Sequence, residues 1–286
     1  MSDAIDLLEY ERELYSRLKL LQPASRTINF IELFKFKEPA ESIPSELQNL
    51  LLEVFRQITN RLYQADTSFH WKKHESFFET VQTLWIAFCG SSLVGFAAIN
   101  ILTVEDVRVI YIDNMNLKPL TRPVLQDYTL GSVFIHEMLL SEYTFKTKAM
   151  AVAARTQNPR IYELAHIILP RAVHPQIFKT QSMLSNNASL LAKAIAARIS
   201  PGKEFNVDTS VIRQAYQASI YGNMAERTGD KKISVRRRVI ANYWLNKMDV
   251  NAGDALLLIV CPTRWEVSIA IGCYAFKKGL SFFCRL

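Results

Sequence analysis

The sequence predicts an α/β protein, and three observations predict it. Along the chain, segments whose apolar residues recur at helical spacing alternate with short runs rich in β-branched and aromatic residues. One stretch, TLWIAFCGSSLVGFAAINIL from Thr83, is two apolar runs divided by the turn-forming Cys89-Gly90-Ser91-Ser92, the mark of a hairpin and so of antiparallel pairing. Finally, 286 residues at 49% hydrophobic content can fill a packed core.

Each element follows from its own pattern. Residues 2 to 22 set Ile5, Leu8, Leu14, Leu18 and Leu21 on roughly one helical face, with Glu9, Glu11, Glu13 and Arg17 left for solvent. Thr27 to Phe36 reads as a strand, and Pro39 and Pro44 punctuate a turn before a helix over Ser45 to Tyr63. After the hairpin comes a strand, Arg108 to Leu117, then the Pro119 to Pro123 loop, then Leu130, Phe134, Met138 and Leu139 at helical spacing. Lys148 to Ala154 is a further strand, and Pro159 to Leu169 a helix with proline in its first turn, where a missing N–H is harmless. Residues 187–199 and 208–222 read as helices, Ser234 to Lys247 as a basic helix, and Ala255 to Cys261 and Val267 to Phe276 as strands.

Composition excludes several functions. The 34 Lys+Arg against 27 Asp+Glu give a formal charge of +7, which suits an anionic partner but is met by a phosphate ligand as readily as by DNA. The basic cluster Lys231-Lys232 and Arg236-Arg237-Arg238 lacks interleaved aromatics, so it reads as a solvated helix face and no nucleic acid is expected. No apolar run approaches the roughly 20 residues of a membrane span, and acids occupy residues 1 to 22, where a signal peptide is basic and apolar; the expected location is cytoplasmic. With 9 glycines and neither GxGxxG nor GxxxxGK[ST], the common dinucleotide and ATP folds are set aside. Cys89, Cys261, Cys273 and Cys284 form no CxxC pair and read as reduced and structural. His70 and His74 have no third ligand, His136-Glu137 lacks the second histidine of HExxH because Leu140 stands there, and GxSxG is absent; no metal is expected.

The order over residues 27 to 169 resembles the GNAT superfamily of N-acyltransferases, and motif residues carry the resemblance. Leu117-Lys118-Pro119 ends a strand, Gln126-Asp127-Tyr128-Thr129-Leu130-Gly131 opens a helix, and Asn158 follows the next strand. The resemblance implies a GNAT-like mixed, mostly antiparallel central sheet flanked by helices. It divides the chain into an N-terminal helix (1–25), an acyl-donor-binding core (26–170) and a C-terminal extension or second lobe (171–286). It implies acyl-CoA, or an acyl-carrier-protein thioester, as co-substrate, held by Leu117, Gln126, Thr129, Leu130, Gly131, Ser132 and Asn158. A helix start suits the diphosphate because its first amides lack intrahelical partners. Thr129 stands where the family has its first loop glycine, and Arg122 is the alternative to Gln126 as the loop's leading polar residue.

The reaction implied is transfer of an acetyl or longer fatty acyl group to a primary amine of a peptide or small molecule. It needs a proton acceptor, an oxyanion donor and a proton for the thiolate. The Leu117 backbone is the oxyanion candidate, and Asp113 and Tyr111 share its strand face as base or relay. Asp113 reads equally well as a structural carboxylate. Where the family keeps its acidic tyrosine this chain has Ala165, so Tyr162 is the nominee, against a plain core role. Small residues at Ala149, Ala151, Ala153, Ala154, Ala87, Ala97 and Ala98 leave either an acyl slot or close helix packing. Two rivals remain, an acyl-homoserine-lactone-type synthase and a non-catalytic acyl-CoA or peptide-binding module.

Overall fold

The computed structural model describes residues 2–64, 66–72, 76–120, 123–125, 128–142, 150–178, 186–216 and 235–283. The architecture is mixed α/β, a ten-stranded, mostly antiparallel sheet flanked by helices. The chain divides into two compact units, one of Met1–Asn100, Ile112–Leu140 and Ile271–Leu286, the other of Ile101–Tyr111 and Ser141–Ala270.

The first unit opens with helix α1 (Ser2–Leu20). Its inward residues are Leu7, Glu11, Leu14 and Leu18, whereas Leu8 is exposed. Glu11, expected in solvent, is instead buried, because Lys118 Nζ pairs with it at 2.6 Å and Ser92 Oγ donates to it at 2.8 Å. The single strand expected from Thr27 to Phe36 is a hairpin of β1 (Ala24–Ile28) and β2 (Ile31–Lys37), paired from Ala24↔Lys35 to Ile28↔Ile31. The break comes at Asn29, whose φ of 56° lies in the left-handed region that asparagine tolerates at tight turns.

Helices α2 (Pro39–Ser42), α3 (Ser45–Tyr63), α4 (Ser68–Lys72) and α5 (Phe77–Thr80) follow. The apolar stripe of α3, Leu47, Leu51, Val54, Phe55 and Ile58, packs with Phe34, Trp71, Phe77, Ile86 and Phe96 into one core, Phe55 stacking on Phe96 at 3.7 Å. Strands β3 (Thr83–Cys89) and β4 (Ser92–Val104) pair antiparallel across Gly90-Ser91, with Gly90 at φ 61°. Strand β5 (Val107–Leu117) and helix α6 (Leu130–Glu142) complete the run.

In the second unit, strand β6 (Met150–Thr156) leads into α7 (Pro159–Ile168). Strand β10 (Ala255–Val260) pairs antiparallel with β6, and its other edge carries two short strands end to end, β7 (Val173–His174) and β9 (Val211–Ile212). Between β7 and β9, His174 Nε2 and Ser210 Oγ meet at 2.8 Å, both buried. The helix expected over 208–222 is replaced, as far as residue 216, by the hairpin of β8 (Phe205–Asn206) and β9. Left-handed backbone at Ser210 and Gln214 interrupts any helix there, while Val211 and Ile212 add naturally to a sheet edge. Residues 217–222 lie outside the described set. Helix α8 (Asn186–Ile199) sets Leu191, Ala192 and Ile195 against Ala151, Ala153, Leu257 and Ile259, so the small side chains of β6 receive a closely packed helix.

Helix α9 (Val235–Lys247) carries Arg236, Arg237 and Arg238, of which Arg237 pairs with Glu163 at 2.9 Å; Lys231 and Lys232 lie outside the described residues. The strand expected over Val267 to Phe276 is instead part of helix α10 (Arg264–Phe283). Its start is a capping box, in which Thr263 Oγ1 accepts from the Glu266 amide at 3.2 Å and Glu266 Oε2 accepts from the Thr263 amide at 2.8 Å. Among the described residues no helix is long and apolar enough to cross a membrane.

Candidate functional site

The residues nominated from sequence fall into both units. Asp113, Leu117 and Thr129 to Ser132 belong to the first, Tyr111, Asn158 and Tyr162 to the second; Gln126, Arg122 and His74 lie outside the described residues.

On β5 the two faces differ. Asp113, Met115 and Leu117 are half-buried, while Asn114 and Asn116 are buried. The Asp113 carboxylate has no hydrogen-bond or ion-pair partner among the described residues. Leu117 lies over Gly95, and the chain continues the ladder as the Lys118 amide donates to Val94 O at 2.8 Å. On the buried face Tyr63 donates to Asn116, Asn116 donates to Asn114, and Asn114 Nδ2 stands 3.3 Å from His70 Nε2. Sequence reasoning missed this polar string; the signal was two asparagines at alternate positions, following Ile110 and Ile112 on the same face of the strand.

The start of α6 is built by its own cap. Thr129 Oγ1 accepts from the Ser132 amide at 3.3 Å and lies 3.1 Å from Ser132 Oγ, a side-chain cap that a glycine would not provide. Thr129 is exposed, whereas Leu130, Gly131 and Ser132 are buried. The amides of Leu130 and Gly131 are thus the first-turn donors left by the helix, and solvent meets this end at Thr129. Before it, the Tyr128 amide donates to Leu125 O at 2.7 Å and Asn29 Nδ2 donates to Val124 O at 2.9 Å, which fixes the approach of the loop.

Further along α6 stand two residues that the failed HExxH match had set aside. Glu137 is fully buried, accepting from Arg26 at 2.6 Å, from the Tyr274 hydroxyl at 2.8 Å and from Lys278 at 2.8 Å. His136 is 3% exposed, with Tyr274 stacked on its ring at 4.8 Å and Tyr128 edge-on at 5.0 Å. Burial holds its imidazole below the ordinary histidine value. Burial and the Glu137 carboxylate together push the Tyr274 phenol well up.

In the second unit, Tyr111 is part of the apolar cluster with Val109, Ala151 and Ile195. Asn158 caps α7, its Oδ1 accepting from the Arg160 amide at 3.0 Å. Tyr162 is fully buried; its hydroxyl donates to Pro175 O at 2.8 Å and accepts from the Ile177 amide at 3.1 Å, and burial pushes its pKa up to about 12. The described residues gather no group of three metal-ligating side chains.

No family model and no curated protein matches the chain. Among solved structures it is similar to an aminoglycoside acetyltransferase from an uncultured soil metagenomic sample, determined with trehalose. The identity is 13%, the match covers 49% of this chain and 86% of that one, and the TM-score is 0.30.

Proposed function

We propose that the protein is a GNAT-type N-acyltransferase that moves an acyl group from coenzyme A, or from a carrier-protein thioester, to a primary amine of a peptide or small molecule. The observation that carries this reading is that Asp113, the β5 end at Leu117 and the Thr129-capped start of α6 belong to one compact unit. Leu130 and Gly131 supply first-turn amides for a phosphate, and Leu117 the backbone donor for the thioester oxygen. Asp113, half-buried without a partner among the described residues, is the carboxylate that draws in the ammonium group and takes its first proton. Isothermal calorimetry with coenzyme A, paired with turnover of acetyl-, octanoyl- and palmitoyl-CoA by a lysine peptide, tests it. Binding with turnover supports the reading; neither binding nor turnover removes it.

One set of observations favours a second reading, a binding module without catalysis. The polar groups of Thr129, Asn158 and Tyr162 each satisfy nearby main chain, and Gly131 and Ser132 are buried. Coenzyme A binding with no turnover of any of the three thioesters would select that reading.

A further inference from the structure

The outward face of α10 is apolar along most of its length. Trp265, Ile269 and Phe276 are 77%, 58% and 68% exposed, and Gly272 and Gly279 are exposed in line with them. Every other exposed position from Trp265 to Gly279 is also uncharged. Single apolar side chains on a surface are ordinary, but a contiguous row of them marks a surface that another molecule covers. These five residues stand on one unbroken helix at steps of four, three, four and three. That is the 3.5-residue repeat which keeps a seam turned towards a second helix. The opposite side of α10, where Val267 and Tyr274 are buried, already seats the helix on its own chain.

The seam alternates bulk and space. A β carbon at Gly272 or Gly279 would meet nothing within 4 Å, so packing within the chain demands neither glycine. Glycine is a poor helix former, and a helix approaching closely from outside gives both a reason to be there. The pattern is self-complementary when two copies of α10 run antiparallel and cross at Gly272. Trp265 of each then lies over the partner's Gly279, and Ile269 lies beside the partner's Phe276. A parallel pair would instead stack Trp265 on Trp265. The flanking charges choose the same direction. Glu266 and Lys277 lie on one side of the seam, three turns apart, so antiparallel helices bring each Glu266 to the partner's Lys277, whereas parallel ones oppose like charges. Glu266 also caps the helix start, and the Lys277 ammonium also lies over the Tyr128 ring at 5.0 Å.

We propose that this face of α10 is the interface of a two-fold symmetric homodimer, the two helices crossing antiparallel at Gly272. Trp265 and Phe276 together expose about 300 Å² per chain, so the four rings of a pair cover about 600 Å². With the rest of a face about 20 Å long the interface totals about 1,000 Å², the least that a specific dimer buries. An interface of that size and apolar character associates at about micromolar concentration.

Sedimentation velocity of the full-length protein and of Gly272→Leu across about 1–100 µM tests the pairing. Wild type should pass from 32.8 kDa towards twice that mass as concentration rises. Gly272→Leu should raise the dissociation constant about tenfold or more, because leucine fits the open site of the single chain but holds two helices apart. A merely adhesive apolar face would bind better with leucine, so the direction of the change separates the two. A short bismaleimide should also join two wild-type chains through Cys273, exposed one residue beyond the crossing point, and should not join chains of Cys273→Ser. Wild type that is monomeric at about 100 µM overturns the proposal. So does a Gly272→Leu dimer as tight as the wild-type one, or a wild-type dimer with no Cys273–Cys273 link. Wild type that stays monomeric and floats with phosphatidylcholine vesicles gives the face to lipid, which likewise overturns it. If Gly272→Leu does not fold by circular dichroism, the wild-type cross-link decides: a Cys273–Cys273 link in the dimer supports the pairing, and its absence overturns it.

Discussion

Gly95 lies directly beneath Leu117: a β carbon at position 95 would stand 2.6 Å from Leu117 Cδ2 and 3.0 Å from Asn116 O. Gly95→Ala is therefore expected to push the end of β5 aside at a cost of about 1–3 kcal/mol. Adding Leu117→Ala removes the side-chain clash but not the one with the Asn116 carbonyl, so the double variant should recover only part of the loss. Urea unfolding of the two single variants and the double variant checks this, and additive losses would show that residues 95 and 117 do not touch.

Glu137 is the central charge of the first unit, and Glu137→Gln should destabilise the protein by about 2–3 kcal/mol. That is below the 3–5 kcal/mol of a fully buried pair because Arg26 and Lys278 are partly exposed and regain water when released. Arg26→Ala and Lys278→Ala should each cost less than Glu137→Gln, since the second cation remains. Chemical denaturation of the three variants gives the order.

Asn158 separates capping from donor binding. Asn158→Ala should cost about 1 kcal/mol through loss of the cap on α7, and Asn158→Asp should restore most of it because aspartate caps equally well. If the side chain also faces the donor's phosphates, Asn158→Asp should weaken coenzyme A binding in calorimetry while leaving stability near wild type. Unchanged affinity in both variants would confine the residue to capping.

On the alkaline side, burial pushes Tyr162 and Tyr243 up to about 12 from an ordinary value of 10.0. Between these values the folded chain holds protons that the unfolded chain has lost, so stability is whole below pH 10 and declines as pH rises towards 12. The slope is about 1.4 kcal/mol per pH unit for each group. Tyr162→Phe should start lower, having lost two hydrogen bonds, yet decline less steeply. Melting temperatures across pH 9–11 check the slope.

On the acid side the sign reverses. Burial lowers His136 and His174 from 6.5, so below that value the unfolded chain binds protons that the folded one refuses. Stability is whole above pH 6.5 and is lost as pH falls. His174→Gln should flatten this acid decline in urea unfolding at pH 5 and 7.5, and an unchanged decline would show that His174 takes its proton without strain on the fold.

Much of the fold was legible because its elements obey local rules. The α3 stripe, the Gly90-Ser91 turn and the Asn158-Pro159 start of α7 each declare themselves within a few residues. Segments that mislead do so for identifiable reasons. Val267 to Phe276 is apolar enough to pass for a strand, and the overlooked signal is Thr263-Arg264-Trp265-Glu266, whose capping box commits the segment to a helix. Thr27 to Phe36 hides its turn at Asn29, where a single left-handed residue suffices. Glu11, Glu137 and His136 were not legible as buried, because what buries them comes from distant sequence: Lys118, Arg26, Tyr274 and Lys278. Asp113 and Leu117 could be placed on a strand face, but not the polar string behind them, which depends on Tyr63 and His70 arriving from α3 and α4.

The partners of Glu137 on α10 come 137 and 141 residues after it in the chain. While a ribosome is still making the intervening stretch, that carboxylate has, of its partners among the described residues, Arg26 alone, and the first unit lacks its closing segment. Nascent chains stalled before residue 271 should therefore engage chaperones and yield to protease in the segments already synthesised, gaining resistance only when Tyr274 and Lys278 emerge.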